Sequence, residues 1–247
     1  MGDLGWLTAR PVAHRGLHDA ARGIIENAPA AMAAAVAADY AIELDLQASA
    51  DGEAMVFHDF TLDRLTDAAG PLAARTAQEL EAIAFRGTAD RILTLSALMA
   101  QVAGRVPLVI EIKSAFDGDT RLATRAADLV AAYPGPAALM SFDPAMLVEV
   151  GMRAPRVVRG IVAQEHYGGP DWPGIDTAQG EMLADLLHWP RTRFQFINYR
   201  VADLARPAVQ RFRDAGMPVL AWTVRTAADL ARAAQGADQI VFEGFRP

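Results

Sequence analysis

Residues 41–46 read Ala-Ile-Glu-Leu-Asp-Leu. Side chains on a strand alternate between its two faces, so Ile42, Leu44 and Leu46 share one side while Glu43 and Asp45 share the other. Seven further apolar runs resemble this one in length, at 11–14, 106–112, 137–142, 157–162, 194–198, 218–224 and 239–242. Between them lie alanine-rich stretches with helical spacing at 29–38, 95–103, 122–132, 145–153, 177–187, 206–215 and 227–234. Several open on a capping signal, Asp143-Pro144 and Thr226 among them, and others stop at Gly104, Gly216 or Gly236. Short buried strands alternating with helices build a parallel sheet, and eight of them fit a closed (β/α)8 TIM barrel. An open doubly wound sheet is the alternative. It would carry a glycine-rich phosphate loop straight after the first strand, and beyond Gly16 the sequence has none.

Two places break the rhythm. Asp51-Gly52, just past the second strand, signals a two-residue hairpin turn, and 53–58 reads as a strand running back. With Gly70-Pro71 and a short helical pattern at 77–83, this marks 47–90 as a small cap-like insertion over the barrel mouth, inside a single domain spanning 1–247. The other break is at Pro247, which follows the eighth strand so closely that no eighth helix is expected. Part of the barrel wall must then be covered in another way.

Composition narrows the functional classes. A formal net charge of −7 without a basic run argues against a nucleic-acid partner, whose usual footprint is a positive stripe. The absence of cysteine excludes disulfides, thiolate metal sites and a cysteine nucleophile. The longest apolar stretch, 28–38, is too short to span a bilayer, so no stable membrane insertion is expected. The N-terminal residues 1–11 lack a basic region followed by an apolar core, which reads as no leader and a cytoplasmic location. The basic residues are 22 arginines and a single lysine, Lys113, a bias that looks genomic.

In a barrel of this kind chemistry sits at the C-terminal ends of the strands. There the sequence places His14-Arg15-Gly16, Glu43 and Asp45, Glu111-Ile112-Lys113 and, on the returning strand, His58-Asp59. A lone carboxylate at a strand end is most often a solvated rim charge. Three carboxylates, a lysine and two histidines at one end are harder to explain that way, because buried ionic groups are costly unless paired or metal-bound. Glu43, Asp45 and Glu111 form an all-oxygen set suited to one hard divalent cation, Mg2+ or Ca2+. Arg15 and Lys113 supply positive charge for an anionic group. His14 and His58 can act as general base and general acid around a leaving oxygen. Together these parts describe phosphoryl transfer better than acyl transfer, for which no serine sits in a nucleophile elbow.

The ordered set His14-Arg15-Gly16, Glu26-Asn27, Glu43-Leu44-Asp45, Phe57-His58-Asp59, Thr61-Leu62-Asp63-Arg64, Gly70-Pro71 and Glu111-Ile112-Lys113 resembles the glycerophosphodiester phosphodiesterase family. Ser141-Phe142-Asp143-Pro144, Ala221-Trp222-Thr223-Val224 and Ala237-Asp238 continue the resemblance, which spans residue 12 to about 243. It implies a TIM barrel with an insertion after strand two, and metal-dependent hydrolysis of small-molecule glycerophosphodiesters to glycerol 3-phosphate and an alcohol. By position it makes His14 and His58 the acid–base pair and Glu43, Asp45 and Glu111 the metal ligands. Arg15 and Lys113 fall where the phosphate is bound, Trp222 where glycerol or the head group is touched, and Glu26 and Asn27 as supporting hydrogen-bonding groups.

Three positions depart from the family pattern: Ile25 for a proline, Ala28 for a threonine, and Glu243 after strand eight for an aspartate. His18, His166 and His188 read as bystanders, and Trp6, Trp172 and Trp189 as packing or loop anchors. Asn198 is either a pocket polar group or a solvated strand end. Two rival functions share the fold: a phospholipase-type enzyme acting on a related lipid head group, and a non-catalytic phosphodiester-binding barrel.

Overall fold

The computed structural model describes residues 4–169, 172 and 174–247; Met1–Asp3, the start of the stretch read as carrying no leader, lie outside the described residues. The described residues form nine strands: β1 (Val12–Ala13), β2 (Ala41–Ala48), β3 (Ala54–Val56), β4 (Leu108–Ile112), β5 (Ala137–Ser141), β6 (Val158–Ala163), β7 (Phe196–Arg200), β8 (Val219–Val224) and β9 (Gln239–Phe242). All but β3 run parallel in the order β1-β2-β4-β5-β6-β7-β8-β9, and the sheet closes because β1 bonds to both β2 and β9. The expected TIM barrel is the fold found. The additional strand β3 lies outside it, antiparallel to the last residues of β2 through Leu46–Val56, Gln47–Met55 and Ala48–Ala54.

The helices are α1 (Pro29–Ala37), α2 (Ala77–Glu81), α3 (Leu95–Val102), α4 (Arg121–Ala132), α5 (Pro144–Arg153), α6 (Thr177–Ala184), α7 (Trp189–Thr192), α8 (Pro207–Asp214) and α9 (Ala227–Gly236). Their starts follow the capping signals. Asp143 accepts from the Ala145 N–H at 2.8 Å ahead of Pro144, and Thr226 and Asp229 bond reciprocally as a capping box. The helix expected over 177–187 stops at Ala184, and Leu186 takes a left-handed conformation (φ 58) before the separate turn α7. Among the described residues no helix is long and apolar enough to cross a membrane.

Strand alternation sorts the core into two layers. Ile42, Leu44 and Leu46 face outward, packing with helix residues such as Ala35, Leu98 and Ala126. Ala41, on the other side of β2, meets Val109, Met140, Val162, Phe196 and Leu220 inside the barrel. Glu43 and Asp45, two and four residues beyond Ala41, therefore continue along the interior face toward the mouth. In the register of β2 with β4, Asp45 lies directly beside Glu111.

The insertion shares a small core with Ala28, just ahead of α1; in it Met55, Phe57, Leu62, Leu72, Leu80 and Phe85 are all buried and the Phe57 and Phe85 rings stack at 6.0 Å. Its hairpin differs from the expected two-residue turn. The Ser49 N–H donates to the Glu53 carbonyl and the Gly52 N–H to the Ser49 carbonyl, each at 3.0 Å, so Ala50, Asp51 and Gly52 form a three-residue loop. Gly52 sits at φ 81, the left-handed position such a loop requires. Beyond β9, Phe245 packs on Phe242 at 5.6 Å and the Tyr40 edge meets Phe242 at 4.9 Å.

Candidate active site

The C-terminal ends of the strands open into a cavity of about 870 Å³. One side is lined by His14, Arg15, His58, Glu43, Glu111 and Lys113, the other by Phe142, Trp172, Asn198, Arg200 and Trp222. The sequence-derived residues are thus gathered at one mouth although they span more than two hundred positions.

Glu43, Asp45 and Glu111 are buried, and each offers an oxygen within 4.8 Å of the other two. Burial, followed by the like charges of Asp45 and Glu111, pushes the Glu43 carboxyl well above the usual carboxylate range. Burial also opposes ionisation of Asp45, yet Lys113, then His58 and Arg15, hold it below its ordinary value. The Lys113 ammonium lies 2.8 Å from Asp45 Oδ1 and 2.6 Å from Glu111 Oε1, so it sits within the acidic cluster. Three buried, converging carboxylates with only oxygen to offer fit a hard divalent cation, whose charge would remove the like-charge repulsion felt by Glu43.

The loop from β1 to α1 is folded around this cluster. Arg15 and Asn27 both adopt left-handed backbone (φ 55 and 58), a conformation that needs local support in residues other than glycine. That support is visible. The Arg15 N–H donates to Glu43 Oε2 at 2.9 Å, and the Asn27 N–H to the Arg15 carbonyl at 2.9 Å. The Asn27 side chain is fully buried; it donates to Asp45 Oδ2 at 2.9 Å and accepts from the Asp45 N–H at 3.3 Å. Glu26 accepts from Arg15 at 2.7 Å and also from Arg64. Glu26 and Asn27 are therefore braces, one for the guanidinium and one for the acid. Gly16, at φ 78, has no room for a side chain, since a Cβ would come within 2.9 Å of Ala31 in α1.

Two of the three histidines lining the cavity, His14 and His58, have a carboxylate behind them; the third, His166, read from sequence as a bystander, lines the far side with Trp172. His14 Nδ1 donates to Glu243 Oε2 at 2.8 Å, while its Nε2 lies 3.9 Å from Glu43. Burial pushes the His14 imidazole down to about 4, against the opposing pull of Glu243. The hydrogen bond from His14 in turn holds Glu243 at about 2. His58 Nδ1 donates to Asp59 Oδ1 at 2.6 Å, and the His58 backbone carbonyl accepts from Gln47 at 2.9 Å, which ties the insertion to β2. In both rings Nδ1 is engaged and Nε2 is the nitrogen left for a ligand.

Trp222 lies in the opposite wall. Its Nε1–H donates to the Asn198 carbonyl at 3.0 Å, and its ring meets Phe142 edge-on at 5.5 Å. Trp172, read from sequence as an anchor, also lines the cavity, with its ring 4.9 Å from Phe142. Asn198 is buried under this wall and is not a solvated strand end.

Residues 14–242 match the model of the glycerophosphoryl diester phosphodiesterase family. The chain belongs to this family. Its enzyme class is accordingly that of a phosphoric diester hydrolase. Solved structures share the fold. One is an Oleispira antarctica phosphodiesterase in complex with the product sn-glycerol-3-phosphate, at 21% identity and a TM-score of 0.77, covering 96% of this chain and 94% of that one. A glycerophosphodiester phosphodiesterase from Agrobacterium tumefaciens shows 25% identity and a TM-score of 0.69, with 94% of each chain covered. Another from Thermotoga maritima shows 22% identity and a TM-score of 0.71, again over 94% of each chain. No curated protein matches the chain.

The family motifs point to both histidines but not to what stands behind them. Glu243, flagged from sequence only as a departure, is the partner of His14, and its carboxylate reaches the ring from the far end of the chain. Asp59 is adjacent to His58 in every reading of the sequence, yet its hydrogen bond is apparent only in three dimensions. The signal for both was present as an acid at a strand's C-terminal end; nothing in the sequence shows which histidine each faces.

Proposed function

We propose that the chain hydrolyses glycerophosphodiesters to glycerol 3-phosphate and an alcohol, using a divalent cation, Mg2+ or Ca2+, and His14 and His58 to move protons. The observation that carries this reading is the pair of carboxylate-backed histidines flanking three buried, converging carboxylates. Glu43, Asp45 and Glu111 would hold the cation. When bound, it supplies charge neutralisation and Lewis acidity at the phosphodiester.

The remaining steps belong to the protein's own groups. Arg15, braced by Glu26, and Lys113 supply positive charge for the non-bridging phosphate oxygens. His14 is unprotonated at neutral pH because burial holds it at about 4, so it is the base that takes the proton from the attacking oxygen, either that of water or that of the glycerol 2-hydroxyl, whose cyclic phosphate water then opens to glycerol 3-phosphate. As the bond from phosphorus to the leaving oxygen breaks, His58 donates a proton to the departing alcohol. Glu243 and Asp59 keep each ring oriented through Nδ1 during this exchange. Trp222 and Phe142 offer an apolar wall to the carbon skeleton of glycerol or the head group.

His14→Ala and His58→Ala test the roles directly. With saturating cation, each is expected to lower turnover by about 10²–10⁴-fold, the usual contribution of a general acid or base. Near-wild-type turnover in either variant would remove that residue from the mechanism.

A further inference from the structure

Arg64 does not line the cavity, yet its guanidinium binds two carboxylates at the rim. Nε donates to Asp59 Oδ2 at 2.6 Å and Nη2 to Asp59 Oδ1 at 2.9 Å. On the other side, Nη1 donates to Glu26 Oε2 at 2.9 Å and Nη2 to Glu26 Oε1 at 2.7 Å. Asp59 in turn accepts from His58, and Glu26 from Arg15. The result is an unbroken chain of charge-assisted hydrogen bonds, His58–Asp59–Arg64–Glu26–Arg15. It crosses from the insertion to the loop between β1 and α1, two segments that also meet beneath the rim, where Ala28 is buried with Met55 and Phe57.

The arginine stands on a fixed base. Arg86 donates to the Arg64 carbonyl at 3.0 Å and to the Asp63 carbonyl at 3.1 Å. Leu62, two residues earlier, is buried in the apolar core of the insertion with Phe57 and Leu72. The guanidinium itself is only half-buried, with 47% of the side chain exposed. An ion pair at that exposure contributes little to stability, whereas two bidentate forks at fixed angles constrain geometry strongly.

We propose that Arg64 is a positioning residue, a strap across the rim that keeps His58 of the insertion in register with Arg15 of the β1 loop. The inference rests on the roles given above to His58 and Arg15. A planar fork is required, because one ammonium cannot serve four carboxylate oxygens at once.

The test uses full-length Arg64→Gln and Arg64→Lys enzymes, following glycerol 3-phosphate release from a glycerophosphodiester with saturating Mg2+. Arg64→Gln is expected to lower kcat on the order of 10²-fold, the cost of a small misplacement of catalytic groups, with KM changing less. Its Tm should stay within a few degrees of wild type, and guanidinium ion at non-denaturing concentration should restore part of the lost kcat. Arg64→Lys should fall between the two, and it keeps the test available should the glutamine variant fold poorly. Unchanged kcat in both variants overturns the proposal. So does a loss that guanidinium leaves unrestored and that follows a fall in Tm, since that marks a merely structural ion pair. An inactive wild type would instead overturn the proposed function.

Discussion

Lys113 is the only lysine among 23 basic residues, and its ammonium contacts both Asp45 and Glu111, at 2.8 and 2.6 Å. Burial works against its charge, but the two acids raise its pKa above the ordinary lysine value. A guanidinium is larger and planar and would not occupy the same gap between the acids. Lys113→Arg is therefore expected to lower kcat at least about 10-fold despite conserving charge, as steady-state kinetics would show, and an unimpaired variant would contradict the assignment. Glu243 makes a similar case. Glu243→Gln removes the anion that fixes His14 Nδ1–H, and turnover should fall about 10- to 100-fold with little change in Tm. Glu43, Asp45 and Glu111 were legible in the sequence because a period of two places alternate residues of a strand on one face. Glu243, Asp59 and Arg64 were not, because their partners are set by how distant loops meet at the barrel rim.

Among the elements, the barrel interior shows how register decides what sequence alone leaves open. Gly160 on β6 lies beside Phe196 on β7, and a Cβ at Gly160 would come within 2.1 Å of the Phe196 ring. The glycine is what admits that ring to the barrel interior. Gly160→Ala should destabilise the fold by about 1–3 kcal/mol, read as a drop in Tm, and an unchanged Tm would show that the ring has space to move. The run at 157–162 was legible as a buried strand, but the need for glycine there comes from a neighbour 36 positions away. The β2–β3 turn shows the same limit locally: Asp51-Gly52 marked a hairpin, while its three-residue length depends on Ser49 and Glu53 pairing across it.

For the molecule as a whole, acid should loosen the fold through a histidine remote from the cavity lining, His188. Burial holds the His188 imidazole at about 4, against a weaker pull from the Met182 backbone, where an unfolded chain would take the proton near 6.5. Between those values the unfolded state binds more protons, so His188 contributes its full stability above about pH 6.5 and loses it as pH falls toward 4. The span corresponds to roughly 3 kcal/mol. His188→Phe, which keeps a ring beside Phe194, should flatten the fall in urea stability between pH 7 and pH 5; an identical slope would contradict the assignment. No sequence signal marks this, because His188 lies in a helix-end stretch whose burial depends on packing from elsewhere. The most direct measurement is glycerol 3-phosphate release from a panel of glycerophosphodiesters, before and after EDTA treatment and after Mg2+ or Ca2+ is returned. The expected result is release that EDTA abolishes and one of the cations restores, with no release by the Glu43→Ala, Asp45→Ala or Glu111→Ala variants. Release at the same rate in EDTA, or none from any diester with either cation, would contradict it.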